Sequence, residues 1–512
     1  MVLCRWVSLR STHTTIPPFQ LMYNDERCQR GNQKIHKKVL WSFQDYRISH
    51  YQLPITHYQL PITHYQLPIR YLLGYFMKKF IIIFFFTYLP FYVSAETLIE
   101  VIQHTLETNP DILITINNRL AADQQLKQAQ AGYWPTIELT AGYGREISDN
   151  TTTRATTGED ATLMRQEMGL TLSQILFDGF FVTHEIARQS ALVNSSAYRV
   201  QDTSENIILL TAETYLEVIR RQELVELSKD NVVIHQKILE QIRMLVEGGV
   251  GRRADLQQSN SRLALAKSSL VSAQGNLRNA EINYRRVTGE LPGALTIPPR
   301  VPLEAVLPAN SEVALDMALN NHPALRMAQT QLEAAQAARE QTNSAFMPRL
   351  SFEIGITDNK NLDGVEGTND DISAMLKMRY NLYRGGADQA RRQETAERVG
   401  TGKETIRSVQ RLIEENVLLS WNSMTTIRAR VGYLKTHVKS TEEVLDSYKE
   451  QFKLGQRSLL DVLDSENELF NARASLVTAQ YGEILSIFNV LESMGLLLET
   501  FGINYSKEAQ VD

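Results

Sequence analysis

Two aspartates near the C-terminal end of the chain form the clearest pattern that could do chemistry. Asp461 and Asp464 are three residues apart at the start of a predicted helix, so both carboxylates can point in the same direction. Such a pair can attract cations, and Arg457 lies in the turn that precedes the helix. The alternatives need no function, because a helix N-terminus favours anionic side chains and Arg457 is then an ordinary solvated turn residue.

The rest of the chain offers no pattern typical of an enzyme. The stretch Gly402-Lys403-Glu404 lacks the spacing of a phosphate-binding loop. The histidines that follow residue 95 occur singly, and solvated helix positions explain them. We therefore expect no enzyme activity, no cofactor and no metal. These histidines are His104, His184, His235, His322 and His437.

Residues 1–76 differ in character from the rest of the chain. Three copies of a heptapeptide, HYQLPIT or HYQLPIR, occupy residues 50–70. Their prolines prevent a continuous helix or a central strand. We interpret 1–76 as a non-structural extension upstream of the true start at Met77; a disordered natural extension is the alternative.

Residues 77–95 have the three parts of a secretory signal peptide. Two lysines are followed by an apolar run over 80–92 and by Val93-Ser94-Ala95. An uncleaved anchor is the weaker alternative, because a membrane-spanning helix needs roughly 20 apolar residues. The mature chain is predicted to begin at Glu96.

The composition of the mature chain excludes several kinds of partner. Eleven of the 53 basic residues and three of the 58 acidic residues precede Glu96, which leaves a net charge of −13 and disfavours nucleic acid. Cys4 and Cys28, the two cysteines of the sequence, also precede Glu96. The mature part therefore has no thiol for a disulfide or a metal, and no cysteine to carry a lipid anchor.

An internal repeat organises the mature chain. Asn109-Pro110 recurs as His322-Pro323, and Leu176-Phe177-Asp178-Gly179 recurs 206 residues later as Leu382-Tyr383-Arg384-Gly385. The sequence therefore predicts two similar structural units joined by a proline-rich linker. Their predicted bounds are 96–289 for the first repeat, 290–310 for the linker, 311–503 for the second repeat and 504–512 for a tail.

Each repeat is predicted to contain the same four elements in the same order. A single helix comes first, over about 95–132 and 312–345, and a β-hairpin follows it. A long helix without proline and a return helix complete the repeat, and leucines seven apart in the return helix indicate supercoiling against its neighbours. The hairpins are expected at 136–176 and 349–382, and the long helices at Phe181 to Glu247 and Ala387 to Lys453.

The predicted strands alternate apolar and polar residues, beginning with Ile137, Leu139, Ala141 and Tyr143. One apolar face over about ten residues is typical of a lipid-facing β-barrel strand, and also of the alternative, a soluble sandwich. Four strands cannot close a barrel, and open sheet edges are not tolerated in hydrocarbon. If these strands span a membrane, several chains must supply the missing ones.

One segment resembles a known family. Residues 452–464, FKLGQRSLLDVLD, are similar to the turn between the last two helices of the TolC-like outer-membrane channel proteins of type I secretion and multidrug efflux. The duplicated proline-ended helices, the Phe177-Asp178-Gly179 sequence and the signal peptide support the resemblance. It covers essentially residues 96–503.

The resemblance implies an α+β membrane protein built as a homotrimer. Each chain would contribute four strands to a twelve-stranded β-barrel in outer-membrane lipid, continued by a long periplasmic coiled-coil tunnel of helices. Gly249, Gly251 and Gly455 would form the turns at the periplasmic tips of the helices. Asp461 and Asp464 would line the entrance as a ring of carboxylates.

The resemblance also implies a lock that holds the entrance closed. In the family, the arginine that matches Arg457 ties one coiled coil to its neighbour through the aspartate that matches Asp255. Phe452 replaces the aromatic hydroxyl that the family often has at that position, which puts one hydrogen bond of the lock in doubt. An exposed Arg–Asp pair contributes only about 0 to 1 kcal/mol, a scale suited to a lock that must open.

The resemblance favours a passive export duct. Its partners would be a periplasmic adaptor protein and an inner-membrane transporter, either an ABC exporter or a proton-driven pump. Type I protein secretion is the first expectation, and a multidrug efflux duct is the alternative. A soluble periplasmic coiled-coil adaptor and an enzyme with an unrecognised site remain as further alternatives.

The signal-peptide hypothesis predicts the first residue of the mature protein. Edman sequencing of the chain purified from the envelope should read Glu-Thr-Leu-Ile from Glu96, because cleavage follows Ala95. A first residue upstream of Met77 would contradict both the signal peptide and the proposed start.

Overall fold

The computed structural model describes residues 96–156, 158–298 and 306–511. The predicted signal peptide, the upstream extension and the middle of the proline-rich linker lie outside the described residues. Within them, each of the two sequence repeats contains two helices, then two strands and then two long helices, as the internal repeat predicts.

The first copy runs from two short helices through a pair of strands to two long helices. A short helix lies between its strands. The elements are α1 (Leu98–Thr108), α2 (Pro110–Ala131), β1 (Thr136–Ser148), α3 (Thr151–Thr156), β2 (Ala161–Phe177), α4 (Phe181–Glu247) and α5 (Arg253–Thr288).

The second copy repeats this order, with 3₁₀ turns at Thr342–Phe346 and Leu362–Gly364. The segment between its strands is short, because β3 continues to Lys360 and β4 begins at Thr368. Its elements are α6 (Ser311–Asn321), α7 (Pro323–Gln341), β3 (Arg349–Lys360), β4 (Thr368–Arg379), α8 (Ala387–Lys453), α9 (Leu459–Ser493) and α10 (Leu497–Thr500).

The prediction of a single helix at the start of each repeat is wrong. The chain breaks before Pro110 and again before Pro323, so that two helices stand where one was expected. Proline removes a backbone donor and forces the preceding residue out of the helical conformation. Asn109 is accordingly extended, and its Oδ1 accepts the N–H of Asp111 at 2.9 Å, which caps the new helix.

His322 caps the matching helix of the second copy in the same way. Its Nδ1 accepts the backbone N–H of Ala324 at 3.2 Å, which requires a neutral ring nitrogen without a proton. Burial lowers the pKa of His322 to about 4, so the ring is neutral at physiological pH. This histidine is therefore part of a helix cap, and the solvated position expected from the sequence is wrong.

The two longest helices, α4 and α8, have 67 residues each and extend roughly 100 Å. Each turns back into its return helix, α5 or α9. We refer to α4 with α5 as the first helical hairpin and to α8 with α9 as the second. No described helix combines the length and the apolar character needed to cross a membrane.

The main hydrophobic core lies where the two helical hairpins meet the short helices. Tyr215 of α4, Tyr284 of α5 and Phe488 of α9 are its largest buried side chains, and Ile102 of α1 packs with them. Three smaller apolar clusters lie nearer the turns: one is within the first hairpin, one is within the second, and one joins α4 to α9. The long helices are thus anchored near the middle of their length.

The four strands form one antiparallel sheet in the order β1-β2-β3-β4. Their register places apolar residues in continuous rows across the sheet on one face and polar residues in rows on the other. One apolar row consists of Leu139, Leu170, Ile356 and Ile372, and the neighbouring polar row consists of Thr140, Gly169, Thr357 and Asp371. All four residues of the apolar row are exposed in the single chain, Ile372 to 81%.

The C-terminal segment is docked onto α4 by a buried carboxylate. Glu205 is only 2% exposed, and it accepts the hydroxyl hydrogen of Tyr505 at 2.6 Å. It also accepts the backbone N–H groups of Leu497 and Leu498 at 2.9 and 3.2 Å. These hydrogen bonds satisfy a buried charge that would otherwise be costly.

Glu492 lies close to this carboxylate and predicts a pH dependence of stability. Burial first, then Glu205 and Asp202, raise its pKa from 4.5 to about 7. The folded protein therefore holds a proton that the unfolded chain loses, and the stability from this proton declines as the pH rises from about 4.5 through about 7.

We expect Glu492→Gln to remove this part of the pH dependence. Its thermal midpoint should exceed that of the wild type at pH 8, and the difference should shrink toward pH 5. Circular dichroism melting of the detergent-solubilised protein at several pH values measures both. Glu499→Gln, at an exposed carboxylate, is the control; equal midpoints for wild type and Glu492→Gln at pH 8 would contradict the assignment.

Candidate functional site at the helical tips

The helical tips are the two turns that join each long helix to its return helix, residues 248–252 and 454–458. Gly249 and Gly455 have positive φ angles of 78° and 73°, which favour glycine. Gly251 is required for a different reason, because a Cβ there would lie 2.8 Å from the backbone nitrogen of Val246. Each of the three glycines predicted at the tips thus allows the chain to reverse tightly.

Asp461 caps the helix in which it lies. Its Oδ2 accepts the Ser458 hydroxyl at 2.9 Å and the Ser458 backbone N–H at 3.3 Å. The Asp461 backbone N–H donates to Ser458 Oγ at 3.3 Å in return, which completes a capping box. This is the structural role that the sequence left open for Asp461 as an alternative, and the carboxylate remains half-exposed.

Asp464, one helical turn later, makes a different contact. Its Oδ1 pairs with the guanidinium of Arg262 from α5, so the contact joins the second helical hairpin to the first. The Asp464 side chain is 56% exposed and that of Arg262 is 26% exposed. The two predicted entrance carboxylates therefore lie on the same helix but bind different partners.

Arg457 is held within the second helical hairpin. Its Nε donates to Gln451 Oε1 at 2.9 Å, and its guanidinium carbon lies 4.1 Å from the centre of the Tyr448 ring. Its Nη1 is 3.9 Å from Asp461 Oδ2. The hydrogen bond to Gln451 and the stacking on the Tyr448 ring fix the position of the Arg457 side chain. A planar guanidinium is suited to both contacts.

Asp255, the predicted partner of Arg457, lies in the first turn of α5 and is half-buried. Within one chain Arg457 binds residues of its own hairpin, so a pairing with Asp255 would have to form between neighbouring chains. That pairing stays a prediction.

Next to the tips, apolar side chains join the two helical hairpins. Ile242 of α4 is buried against Leu459 and Leu463 of α9, and Phe452 packs against this cluster. Phe452, the departure from the family pattern, thus has a packing role. The aromatic residue next to Arg457 is instead Tyr448, one helical turn before Phe452.

Buried polar side chains lie beyond that apolar cluster, farther along the helices from the tips. Glu466 of α9 is buried and pairs with Lys449 of α8, with 2.7 Å between Nζ and Oε1. His235 of α4 is also buried, so the solvated position expected for it from the sequence is wrong. Burial lowers its pKa, in part offset by the attraction of Glu466. Glu466 therefore has its own cation, whereas Asp464 depends on Arg262.

Sequence reasoning missed three residues of the tips: Arg262, Tyr448 and Gln451. Arg262 follows Asp255 by seven residues, which places both on one face of α5, but nothing in the sequence shows that α9 approaches that face. Tyr448 lies four residues before Phe452, on the same side of α8, so a search one turn upstream could have found it.

Among the described residues, no group of three or more histidine, cysteine, aspartate or glutamate side chains is arranged to hold a metal ion. The charged side chains at the tips can instead act on ions through electrostatic attraction. Two carboxylates and two arginines, Asp461, Asp464, Arg457 and Arg262, lie in the turn 454–458 or in the helical segments that follow the two turns.

Comparison with known proteins places the chain in a family. A family model described as outer membrane efflux protein matches residues 101–290 and 314–486. These matches cover most of both sequence repeats and omit residues 291–313, which contain most of the linker.

Three relatives have similar sequences along most of their length. Outer membrane efflux protein BepC of Brucella suis is 25% identical, over 73% of this chain and 79% of BepC. Outer membrane protein TolC of Vibrio cholerae is 24% identical, over 80% of this chain and 92% of that protein. Alkaline protease secretion protein AprF of Pseudomonas aeruginosa is 23% identical, over 73% of this chain and 79% of AprF.

A solved structure supports the fold. The Campylobacter jejuni CmeC outer membrane channel superposes with a TM-score of 0.69 at 16% identity, over 80% of this chain and 87% of CmeC. The expected fold class, an α+β membrane protein with four strands per chain continued by long helices, is confirmed. The family match over both repeats confirms the TolC-like resemblance, and the chain belongs to the outer membrane efflux protein family.

Proposed function

We propose that three copies of this chain form a passive export duct across the outer membrane of a Gram-negative cell. The observation that carries the proposal is the four-stranded sheet, which has rows of apolar residues across one face and whose outer strands, β1 and β4, each pair on one side only within the described residues. Such a sheet is an incomplete section of a barrel. The signal sequence at 77–95 would direct the chain to the envelope.

Hydrogen bonding supports the trimer. In lipid, every backbone N–H and C=O must be paired within the protein, so the free edges of β1 and β4 must meet other strands. Pairing β4 of one chain with β1 of the next closes the sheet without a free edge. Three chains then give twelve strands, an even number within the range of outer-membrane barrels, with the apolar rows facing lipid.

The exposed face of α8 supports the same assembly. Leu412 and Leu419 are exposed and seven residues apart, and Tyr433, two further heptads along and beyond the polar Thr426, is 80% exposed. Exposed apolar residues that recur with a period of seven along a long helix are typical of a coiled-coil contact. Helices of neighbouring chains would cover this stripe and extend the barrel as a tunnel into the periplasm.

The tips would form the periplasmic entrance of that tunnel. Asp461 and Asp464 from three chains would bring six carboxylates around a narrow axis, a constriction that favours cations and that multivalent cations block. Arg457 would bind Asp255 of the neighbouring chain and help to hold the entrance closed. The small free energy of an exposed pair suits a gate that must open.

We further propose type I protein secretion as the process that the duct serves, with multidrug efflux as the alternative. The close match around 455–464 and the absence of a lipid-anchor cysteine after residue 95 support secretion. The relatives' names include both an alkaline protease secretion protein and efflux proteins. A periplasmic adaptor would dock at the tips, and an inner-membrane ABC or proton-driven transporter would supply the energy.

Planar-bilayer conductance tests the duct and its carboxylates together. The purified mature protein should form cation-selective pores that a multivalent cation, hexaamminecobalt(III), blocks from the periplasmic side. In Asp461→Asn with Asp464→Asn, the block should weaken at least tenfold, because the charges that attract the cation are gone.

Two further variants separate a closed gate from a wrong assignment. If the wild type inserts but does not conduct, Arg457→Ser should raise the conductance, whereas Arg278→Ser, at an exposed arginine of α5, should not. If neither the wild type nor Arg457→Ser conducts, a soluble coiled-coil adaptor becomes the better hypothesis.

Deletion of the gene in its host separates secretion from efflux. Loss of one or a few proteins from the culture supernatant, with unchanged drug susceptibility, is expected for type I secretion. Increased susceptibility to several drugs with an unchanged supernatant would favour the efflux duct instead. Complementation with the wild-type chain is the control.

A further inference from the structure

The ion pair between Arg262 and Asp464 connects two parts of the chain that an opening entrance would separate. Arg262 lies on α5 of the first helical hairpin, and Asp464 lies on α9 of the second. Both residues are within about 15 Å of their helix starts at the tips. A second contact between the hairpins, the hydrogen bond from Tyr481 to Glu223 at 2.8 Å, lies much farther from the tips.

The pair also gives the two entrance carboxylates different properties. Asp461 binds Ser458 of its own helix, so moving one hairpin away from the other leaves its contacts intact. Asp464 is neutralised by a charge from the opposite hairpin. The charge that Asp464 presents to the entrance therefore depends on how close the hairpins are.

The neighbouring charges do not replace this arginine. Glu466 already binds Lys449, and both of these residues belong to the second helical hairpin. Arg457 is held by Gln451 and by the ring of Tyr448. Arg262 is thus the cation that the structure assigns to Asp464.

We infer that Arg262 is a built-in competitor of external cations at Asp464, and that it links the cation affinity of the entrance to separation of the two helical hairpins. The inference rests on the proposed entrance and adds a residue and a regulation to it. With the hairpins together, Arg262 occupies Asp464 and the entrance binds cations weakly. With the hairpins apart, Asp464 is free and the entrance binds them more tightly.

The linkage works in both directions. A cation that binds Asp464 must displace Arg262, and it thereby removes an ion pair that holds the hairpins together. The free energy of the Arg262–Asp464 ion pair therefore weakens cation binding when the hairpins are together. By the same amount, a bound cation makes separation of the hairpins easier. A partly exposed pair changes an equilibrium by up to about fivefold, and three Asp464 residues acting on one cation could bring the change to roughly tenfold or more.

The first measurement is the block of the full-length mature channel by hexaamminecobalt(III) in a planar bilayer. Arg262→Gln should lower the half-blocking concentration about tenfold. Arg278→Gln, at an exposed arginine on the same helix about 24 Å away, should leave it unchanged. In an Asp464→Asn background, Arg262→Gln should have no further effect, because the carboxylate for which both cations compete is absent.

The second measurement separates the linkage from a simple gain of negative charge. Hydrogen exchange of the detergent-solubilised protein reports how often the amides of 253–263 and 459–467 lose protection. Exchange there should be several-fold faster in Arg262→Gln than in wild type, and hexaamminecobalt(III) should accelerate it in wild type but not in Asp464→Asn. Arg262→Lys should give intermediate values, because lysine keeps the charge but not the planar guanidinium.

The outcomes distinguish this inference from the proposed function. Block and exchange in Arg262→Gln that equal those of Arg278→Gln would overturn the inference while leaving the duct intact. Tighter block with unchanged exchange would also overturn it, since the arginine would then act by charge alone. If neither the wild type nor Arg457→Ser conducts, the duct fails, and the exchange experiment still decides whether Arg262 and Asp464 hold the hairpins together.

Discussion

The backbone hydrogen bonds at the edges of a four-stranded sheet are the constraint on which the rest of the structure depends. If the apolar rows of this sheet face lipid, β1 and β4 cannot stay paired on one side only, since each unpaired polar group there costs several kcal/mol. The chain has too few strands to solve this alone. Its internal duplication supplies two β-hairpins of matching register. Association of several chains would supply the remaining strands, so the need to pair the sheet edges accounts for the assembly.

The same duplication governs the helical part. Helices of 67 residues cannot be buried by one small core, and the structure instead anchors them near the middle and leaves their ends extended. Nearer the tips, a small apolar cluster and a few polar contacts join the two helical hairpins to each other. Contacts of this size can be exchanged without unfolding the chain, as the proposed entrance would require.

The charges at the tips illustrate how one sequence pattern can contain two roles. Asp461 and Asp464 look equivalent along the helix, yet Asp461 completes a capping box and Asp464 binds an arginine from the other hairpin. Helix capping contributes about 1 kcal/mol to stability wherever the helix starts. The contact of Asp464 depends on the arrangement of two separate hairpins, and only a contact of that kind can respond to their movement.

Much of this protein follows from local pattern. The alternation of apolar residues in the strands, the glycines of the tips and the bounds of the long helices could be predicted because they depend on neighbours within a few residues. The breaks at Pro110 and Pro323 were also local, and the prediction missed them by extending a helix through a proline. Only tertiary structure decided that Glu205 docks the C-terminal segment and that Arg262 binds Asp464. These partners are about 200 to 300 residues apart, and whether two distant side chains meet is decided by the packing of whole helices, which no short-range pattern encodes.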